Sequence, residues 1–300
     1  MRAIIVSDGR DGHLNQSKAL LCYLGMEYDI LPISKRFFFS KTLSYIFDRL
    51  SVGCGFLYRY DKSILSGDSY ALVVGAGSLT YPMVSLLARE FDSRSVAMML
   101  PKGFRYERFD YIFAQHHDKP PKRANIIEIP ANFSYIKPKK LYQRTKDRAI
   151  AIVIGGSNSK IEMKRDVIKR YIDEIVTLFD GYEVAITTSP RTSRDISDMV
   201  ESMEFDYSVI FHKNPINPIS DFLDFCEYIF ITEDSTSMIS EAISYGKSCV
   251  EVLSLGDGGS KYRYFLDYLV ENGYIHRFKG GVGCANKKVD FMNYAKRIEL

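Results

Sequence analysis

Near its start the chain reads SDGRDGHLNQ over residues 7–16, which gathers Asp8, Asp11, His13, Asn15 and Gln16 into one short stretch. An imidazole ordinarily titrates near about 6.5, so His13 is suited to take a proton from a hydroxyl at neutral pH, with Asp8 or Asp11 orienting the ring. Asn15 and Gln16 are expected to face an acceptor beside it. The plainer alternative is that Asp11 and Asn15 only cap a helix and His13 lines a turn.

A second group lies in ITEDSTSMISEAISYGK, residues 231–247. An apolar run delivers Thr232, Glu233, Asp234 and Ser235 to its end. The segment after it opens with Ser237 and Met238 at helical positions, where backbone N–H groups and the dipole favour a phosphate. Glu241 comes about one and a half turns later, where a carboxylate can accept from two ribose hydroxyls. A simple capping box, with Asp234 or Ser235 as the cap, is the competing reading. Two further loops carry the same chemistry. IGGSNS (154–159) offers Gly155, Gly156 and Ser157 for close backbone approach. TTSPRTSRD (187–195) offers Thr188 and Ser189 with Arg191 and Arg194, whose planar forks match diphosphate oxygens.

Other matches are weak. GAGSLT (75–80) has no third glycine at the dinucleotide spacing, although Gly77 itself is expected to line the acceptor side. GDGGSK (256–261) lacks the spacing of a P-loop. His116 and His117 stand beside Asp118 without further ligands at zinc spacing, so no zinc site is expected; His117 is counted among the acceptor-side candidates. No Asp-x-Asp element stands out to hold a metal with a diphosphate, so no metal and no cofactor is expected.

Something must hold these loops. Short apolar runs, AIIV (3–6), YDILPI (28–33), ALVV (71–74), SVAMML (95–100), FDYIFA (109–114) and NIIEI (125–129), alternate with glycine turns and segments of helical period. After the basic stretch YIKPKKLYQRTKDR (135–148) the alternation restarts at AIAIVI (149–154) and continues to SCVEVL (248–253). Helices are expected at 160–179, 193–202, 218–226, 235–246 and 261–273. This is the pattern of an α/β protein with two doubly wound parallel sheets, residues 1–145 and 146–285, and an amphipathic C-terminal helix over 286–300 that packs back toward the first domain. In such sheets ligands bind beyond the carboxyl ends of the strands, so two domains facing one another would line a cleft with the loops named above.

Composition narrows the classes. With 46% hydrophobic and 26% charged residues the chain is an ordinary folded protein, not a disordered or fibrous one. Five cysteines without a C-x-x-C pair suit a reducing compartment, and the start has no signal-peptide pattern. The charge-free stretch 69–88 is broken by glycines and Pro82, so no membrane-spanning helix is expected. The net charge of +3 divides into +9 over residues 1–150 and −6 over 151–300, which points the first half at something anionic: a phospholipid surface, a lipid-phosphate acceptor or nucleic acid. Within that half, residues 35–60 mix Phe37, Phe38, Phe39, Tyr45, Ile46, Phe47, Leu50, Phe56 and Leu57 with Lys35, Arg36, Lys41, Arg49 and Arg59. The segment reads either as an interfacial membrane contact or as a core helix with solvated edges.

Taken together, SDGRDGHLNQ, VVGAGS, RFDYIFAQHHD, AIVIGGSNS, ITTSPRTS and TEDSTSMISEAISYGK resemble, in this order, the phrases of the mitochondrial-fission-Elm-like family, the plant "elongate mitochondria" protein and its bacterial relatives. Pro190 departs from the pattern, standing where the family usually has a second basic residue. The family is similar to glycosyltransferases of GT-B architecture, with two facing Rossmann-like domains and a nucleotide-sugar donor held mainly by the second. The resemblance implies that Glu241 binds the donor ribose. It also implies that the 235–238 helix start and the 155–157 loop face the diphosphate, with Thr188, Ser189, Arg191, Glu233 and Asp234 completing the donor site.

The activity implied by that resemblance is that of a metal-independent glycosyltransferase acting on a saccharide or lipid-linked acceptor of cell-envelope type. It would be cytoplasmic, in peripheral contact with the anionic inner face of the membrane, and would bind no nucleic acid. A nucleotide-sugar epimerase or hydrolase of the same architecture, or a non-enzymatic membrane-organising protein, is the alternative. The donor base and the oligomeric state are not legible in the sequence.

Overall fold

The apolar run at Ala3–Val6 is the centre of a buried strand, and every later run of this kind forms a strand parallel to its neighbours. The computed structural model describes residues 1–67, 69–256 and 259–300. Asp257 and Gly258 of the GDGGSK stretch lie outside the described residues. Two compact units divide the chain, Met1–Tyr135 with Asp290–Leu300, and Ile136–Val289.

In the first unit the elements are β1 (Arg2–Ser7), α1 (Asp11–Tyr23), β2 (Glu27–Pro32), β3 (Ser34–Lys35), α2 (Ser40–Arg49), β4 (Tyr58–Arg59), β5 (Leu72–Gly75), α3 (Tyr81–Glu90), β6 (Arg94–Ala97), β7 (Tyr111–Gln115) and β8 (Ile126–Ile129). Six strands form one parallel sheet in the order β2-β1-β5-β6-β7-β8, while β3 and β4 make a separate antiparallel pair. Its core packs Ile4, Val6, Leu31 and Val73 from the sheet against Val84 and Leu87 of α3. The chain leaves β1 for β2, then returns to the other side of β1 to form β5. Such a reversal opens a crevice at the carboxyl ends of the two inner strands, here Ser7 and Gly75.

The second unit contains β9 (Ala149–Ile154), α4 (Arg165–Leu178), β10 (Glu183–Thr188), α5 (Arg194–Glu201), β11 (Tyr207–Val209), α6 (Ile219–Phe225), β12 (Tyr228–Thr232), α7 (Thr236–Ala242), β13 (Cys249–Leu253), α8 (Ser260–Glu271) and β14 (His276–Arg277). Its parallel sheet has the order β11-β10-β9-β12-β13-β14. The reversal falls between β9 and β12, so the crevice lies where Ile154 and Thr232 end their strands. Ile150, Ile152 and Phe230 of the sheet meet Ile168, Ile172 and Ile175 along one face of α4.

Several boundaries differ from the periodicity. Residues 136–145, expected with the first domain, belong to the second unit because two buried carboxylates there collect their polar groups. Asp221 accepts from the backbone N–H of Lys139 (2.7 Å) and Leu141 (2.7 Å), and Glu183 from the Tyr142 and Thr145 hydroxyls, both at 2.8 Å. These bonds leave no apolar period to read. The helix expected over 160–179 begins only at Arg165, since Ser157 and Asn158 hold the preceding residues in a loop. The one expected over 235–246 shrinks to Thr236–Ala242. In the tail only α9 (Phe291–Ala295) is helical, and its Phe291 ring lies 4.6 Å from that of Phe133 in the first unit. Residues 35–60 are not one helix: they carry β3, α2 and β4, and α2 buries Ser40, Ser44 and Asp48 while Leu43 and Ile46 stand outside.

Candidate functional site

At the first reversal, β1 ends in Ser7 and the chain turns through Gly9, whose φ of +80° suits glycine, into α1. His13 lies in the first turn of that helix. Its Nδ1 is 3.0 Å and 3.1 Å from the two carboxylate oxygens of Asp8, so the carboxylate accepts from Nδ1 and fixes the ring with Nε2 pointing away from it. Of the two candidate orienting acids, Asp8 is the one in place. Asp11 is exposed in the first turn of α1, where its charge favours the helix dipole, and it makes no cap; the cap residue is Arg10. Gly77, on the loop after β5, has φ +87°, and a Cβ there would fall within the His13 ring. The absence of a side chain at Gly77 is what lets the imidazole occupy the crevice.

The remaining acceptor-side candidates separate. Asn15 is exposed on α1. Gln16, expected beside His13, is instead buried: its amide nitrogen donates to the Gly12 carbonyl (3.2 Å), and its oxygen accepts from Gln115 at the end of β7. Gln115 links it in turn to Asn132 at 2.8 Å. His117 is half-buried in the turn after β7, two strands from β5.

At the second reversal three loops are knitted together by one carboxylate. Asp234 has no exposed side-chain surface, accepts from the Gly156 N–H (3.0 Å) and the Thr232 hydroxyl (2.7 Å), and pairs with the Arg191 guanidinium at 2.7 Å. Arg191 also donates from Nη1 to the Gly156 carbonyl at 3.4 Å and keeps 44% of its side chain exposed. Thr192, absent from the sequence candidates, donates its hydroxyl to the carbonyl of Gly155 and accepts from the N–H of Ser189 (2.8 Å). A Cβ on Gly155 would meet the Asp234 carboxylate, and one on Gly156 the Arg191 backbone carbonyl. Both glycines are required by this close approach.

Some expected donor contacts are engaged within the protein. Glu233 is buried and accepts from the N–H groups of Leu255 (2.6 Å) and Gly256 (3.0 Å). The Thr188 hydroxyl accepts from the Phe211 N–H, and that of Ser157 from the Met163 N–H, both at 2.9 Å. These residues shape the loops. Ser235 caps α7 by accepting from the Met238 N–H at 3.3 Å, while Ser237 stays exposed in its first turn. No acid completes a capping box, because the third helical residue is Met238.

Glu241 behaves differently. It is half-buried on α7, and among the described residues nothing donates a hydrogen bond to its carboxylate. Burial pushes its pKa from 4.5 up to about 7, only partly offset by the charge of Lys139. The hydroxyl of Tyr262 on α8, which no sequence signal marked, is buried without a partner among the described residues. Burial raises its pKa, as do the nearby carboxylates of Asp234 and Glu233. A desolvated polar group left unpaired is costly, which makes the Tyr262 hydroxyl a candidate for contact with a ligand. No group of three or more metal-ligating side chains occurs among the described residues, and no helix there is long and apolar enough to cross a membrane.

Residues 11–298 match the family model for mitochondrial fission ELM1. The protein RP120 of Rickettsia prowazekii (strain Madrid E) is 22% identical over 90% of this chain and 88% of its own. Among solved structures, the glycosyltransferase SnogD from Streptomyces nogalater is similar with a TM-score of 0.52 and 14% identity, covering 99% of this chain and 93% of that one. The UDP-GlcNAc 2-epimerase from Methanocaldococcus jannaschii gives 0.53 and 13%, covering 99% and 92%. These likenesses show an α/β fold with two Rossmann-like parallel sheets, the architecture shared by GT-B glycosyltransferases and nucleotide-sugar epimerases.

Proposed function

The chain belongs to the mitochondrial fission ELM1 family, and from that premise we propose that it is a metal-independent GT-B glycosyltransferase. Its second unit would hold a nucleotide-sugar donor, and the acceptor would be a saccharide or lipid-linked saccharide at the cytoplasmic membrane face. The observation that carries the reading is Glu241: a half-buried carboxylate without a protein donor, on the helix that leaves the strand reversal where Gly155, Gly156 and Arg191 converge. A ribose supplies the two hydroxyl donors it lacks. The diphosphate would meet the glycine loop and the exposed part of Arg191.

In the transfer step the acceptor oxygen forms a bond to the anomeric carbon as the bond from that carbon to the diphosphate breaks. The nucleoside diphosphate leaves with the electron pair, and the acceptor proton passes to Nε2 of His13 while Asp8 stabilises the imidazolium.

Thermal shift against UDP, GDP, ADP, dTDP and CMP is the direct test. At least one raises the melting temperature of the wild type and leaves Glu241→Ala unmoved. If none stabilises the protein, the donor site is wrong. The likeness to UDP-GlcNAc 2-epimerases supports a second reading, an epimerase or hydrolase of nucleotide sugars. Turnover of the donor with no acceptor present selects it. Full biological activity of Glu241→Ala without nucleotide binding would instead favour a non-enzymatic membrane-organising role.

A further inference from the structure

Helix α2 buries polar residues and leaves much of its apolar surface outside. Its buried residues are Ser40, Ser44 and Asp48, spaced four apart along one face. Each is satisfied: the Ser40 hydroxyl accepts from the Phe37 N–H (2.8 Å), Ser44 bonds the buried Tyr58 hydroxyl (2.8 Å), and Asp48 pairs with Arg108 (2.7 Å) and Arg105 (3.2 Å). The opposite face is apolar and open. Leu43 and Ile46 on the helix, Leu50 at its end (66% exposed), and Phe37, Phe38 (84% exposed) and Phe39 just before it all face solvent. An ordinary surface helix turns all of its apolar stripe to the core, whereas here only Tyr45 and Phe47 pack against it, beside the buried polar residues, and the other apolar side chains are left outside.

The charge around this face has one sign. Lys35, Arg36, Lys41, Arg49 and Arg59 lie within residues 34–59, all exposed, and the only acid of the segment is the buried Asp48. A protein partner of ordinary composition would find no acid here to pair with its own cations. Anionic phosphates arrayed above a hydrocarbon layer match both features, rings and aliphatic side chains entering the acyl boundary while lysines and arginines meet the headgroups. The same helix reaches the candidate base: the Tyr45 hydroxyl donates to the Ser78 carbonyl at 3.0 Å, in the loop where Gly77 makes room for His13.

We infer that the exposed apolar face of α2, with the phenylalanines that precede it, docks the protein on an anionic phospholipid bilayer. The inference rests on the membrane-face acceptor of the proposed function and names the surface that meets the lipid.

Vesicle co-sedimentation of the full chain tests it. Vesicles of phosphatidylcholine alone are compared with vesicles also containing phosphatidylglycerol, at low and high salt. The wild type pellets with the anionic vesicles at low salt and is released at high salt. Phe38→Ser/Phe39→Ser/Ile46→Ser weakens that binding by at least about tenfold, since the buried apolar area is lost. Lys35→Gln/Arg36→Gln/Lys41→Gln/Arg49→Gln abolishes the salt-dependent part. All seven side chains are exposed, so both variants keep the wild-type melting temperature. Wild type that fails to pellet, equal binding to neutral and anionic vesicles, or a serine variant that binds like wild type overturns the proposal. So does self-association in sedimentation equilibrium that the serine variant dissolves with no vesicle binding in either protein, which would make the face a contact between copies. The nucleotide shift is measured on the same variants: its absence from wild type counts against the donor site, whereas vesicle binding stands or falls without it.

Discussion

The imidazole of His13 occupies the volume that a side chain at Gly77 would fill, with Asp8 holding its Nδ1 at 3.0 Å. Two loops at one strand reversal thus fix the position of a single ring. If His13 is the base, His13→Ala lowers kcat about a hundred- to ten-thousand-fold. Asp8→Asn acts in the same direction, because an amide nitrogen facing Nδ1 favours the wrong tautomer. Gly77→Ala displaces the ring, costing about a hundredfold in kcat, and adds roughly 1–2 kcal/mol of backbone strain at φ +87°. Nucleotide-induced stabilisation is unchanged in all three variants. Wild-type kcat in His13→Ala removes the residue as base.

If Glu241 binds the ribose as proposed, stability and binding move oppositely with pH. Between pH 4.5 and 7 the unfolded chain loses a proton that the folded protein retains, so stability falls as pH rises through that window and levels off above it. The fall is at most roughly 3 kcal/mol, and smaller for a half-buried group. Glu241→Gln removes it: the variant melts a few degrees above wild type at pH 8 and at the same temperature at pH 4. Ribose hydroxyls need the ionised carboxylate, so the shift produced by nucleotide in wild type grows from pH 5.5 to 8 and disappears in the variant. Equal melting temperatures at pH 8 would show that the carboxylate is paired after all.

The sheets, their order of appearance and the loops at their ends were legible because apolar runs and glycine turns are local signals. The roles inside the loops were not. Glu233 and Asp234 are adjacent acids in one phrase, yet one holds the 255–256 backbone and the other ties Gly156 to Arg191. Which does which depends on strands β10 and β13, far away in sequence. Gln16 reads as a polar neighbour of His13 and is buried because helical geometry turns it toward Gln115, 99 positions on. In α2 the apolar pattern left two readings open, and the burial of Asp48 could not be foreseen, since Arg105 and Arg108, which neutralise it, come from a distant loop. The short strand β14 and the pair β3 and β4 have only two residues each, too few to establish a period.

Arg191 has two tasks that a mutant series separates. It neutralises Asp234, which has no exposed side-chain surface, and in the proposed reading its exposed part also meets the donor. Arg191→Ala leaves a buried carboxylate with only the Gly156 N–H and the Thr232 hydroxyl, costing about 1–3 kcal/mol, and raises the donor KM more than the acceptor KM. Arg191→Ala/Asp234→Asn recovers part of the stability, because the unpaired charge is gone, but none of the donor affinity. Chemical denaturation and the two KM values measure the two tasks. Equal changes in both KM values would assign Arg191 to scaffolding alone.

The two faces of α2 should respond to substitution in reverse of the usual rule. Ile46→Ser and Leu43→Ser remove exposed apolar side chains that nothing covers, and each changes stability by no more than about 0.5 kcal/mol. Ser44→Leu places a branched aliphatic chain on the face that a pattern-based design would choose for it. It removes the partner of the buried Tyr58 hydroxyl and overpacks the contact, so the loss is about 2–4 kcal/mol. Asp48→Leu separates Arg105 and Arg108 from their shared carboxylate and frees the 101–108 loop from the helix. Both guanidiniums recover water, which limits the cost to about 1–3 kcal/mol. Urea unfolding of the four single variants gives the comparison. If the inward leucines stabilise the protein and the outward serines destabilise it, the helix is facing the other way, and its apolar side is core.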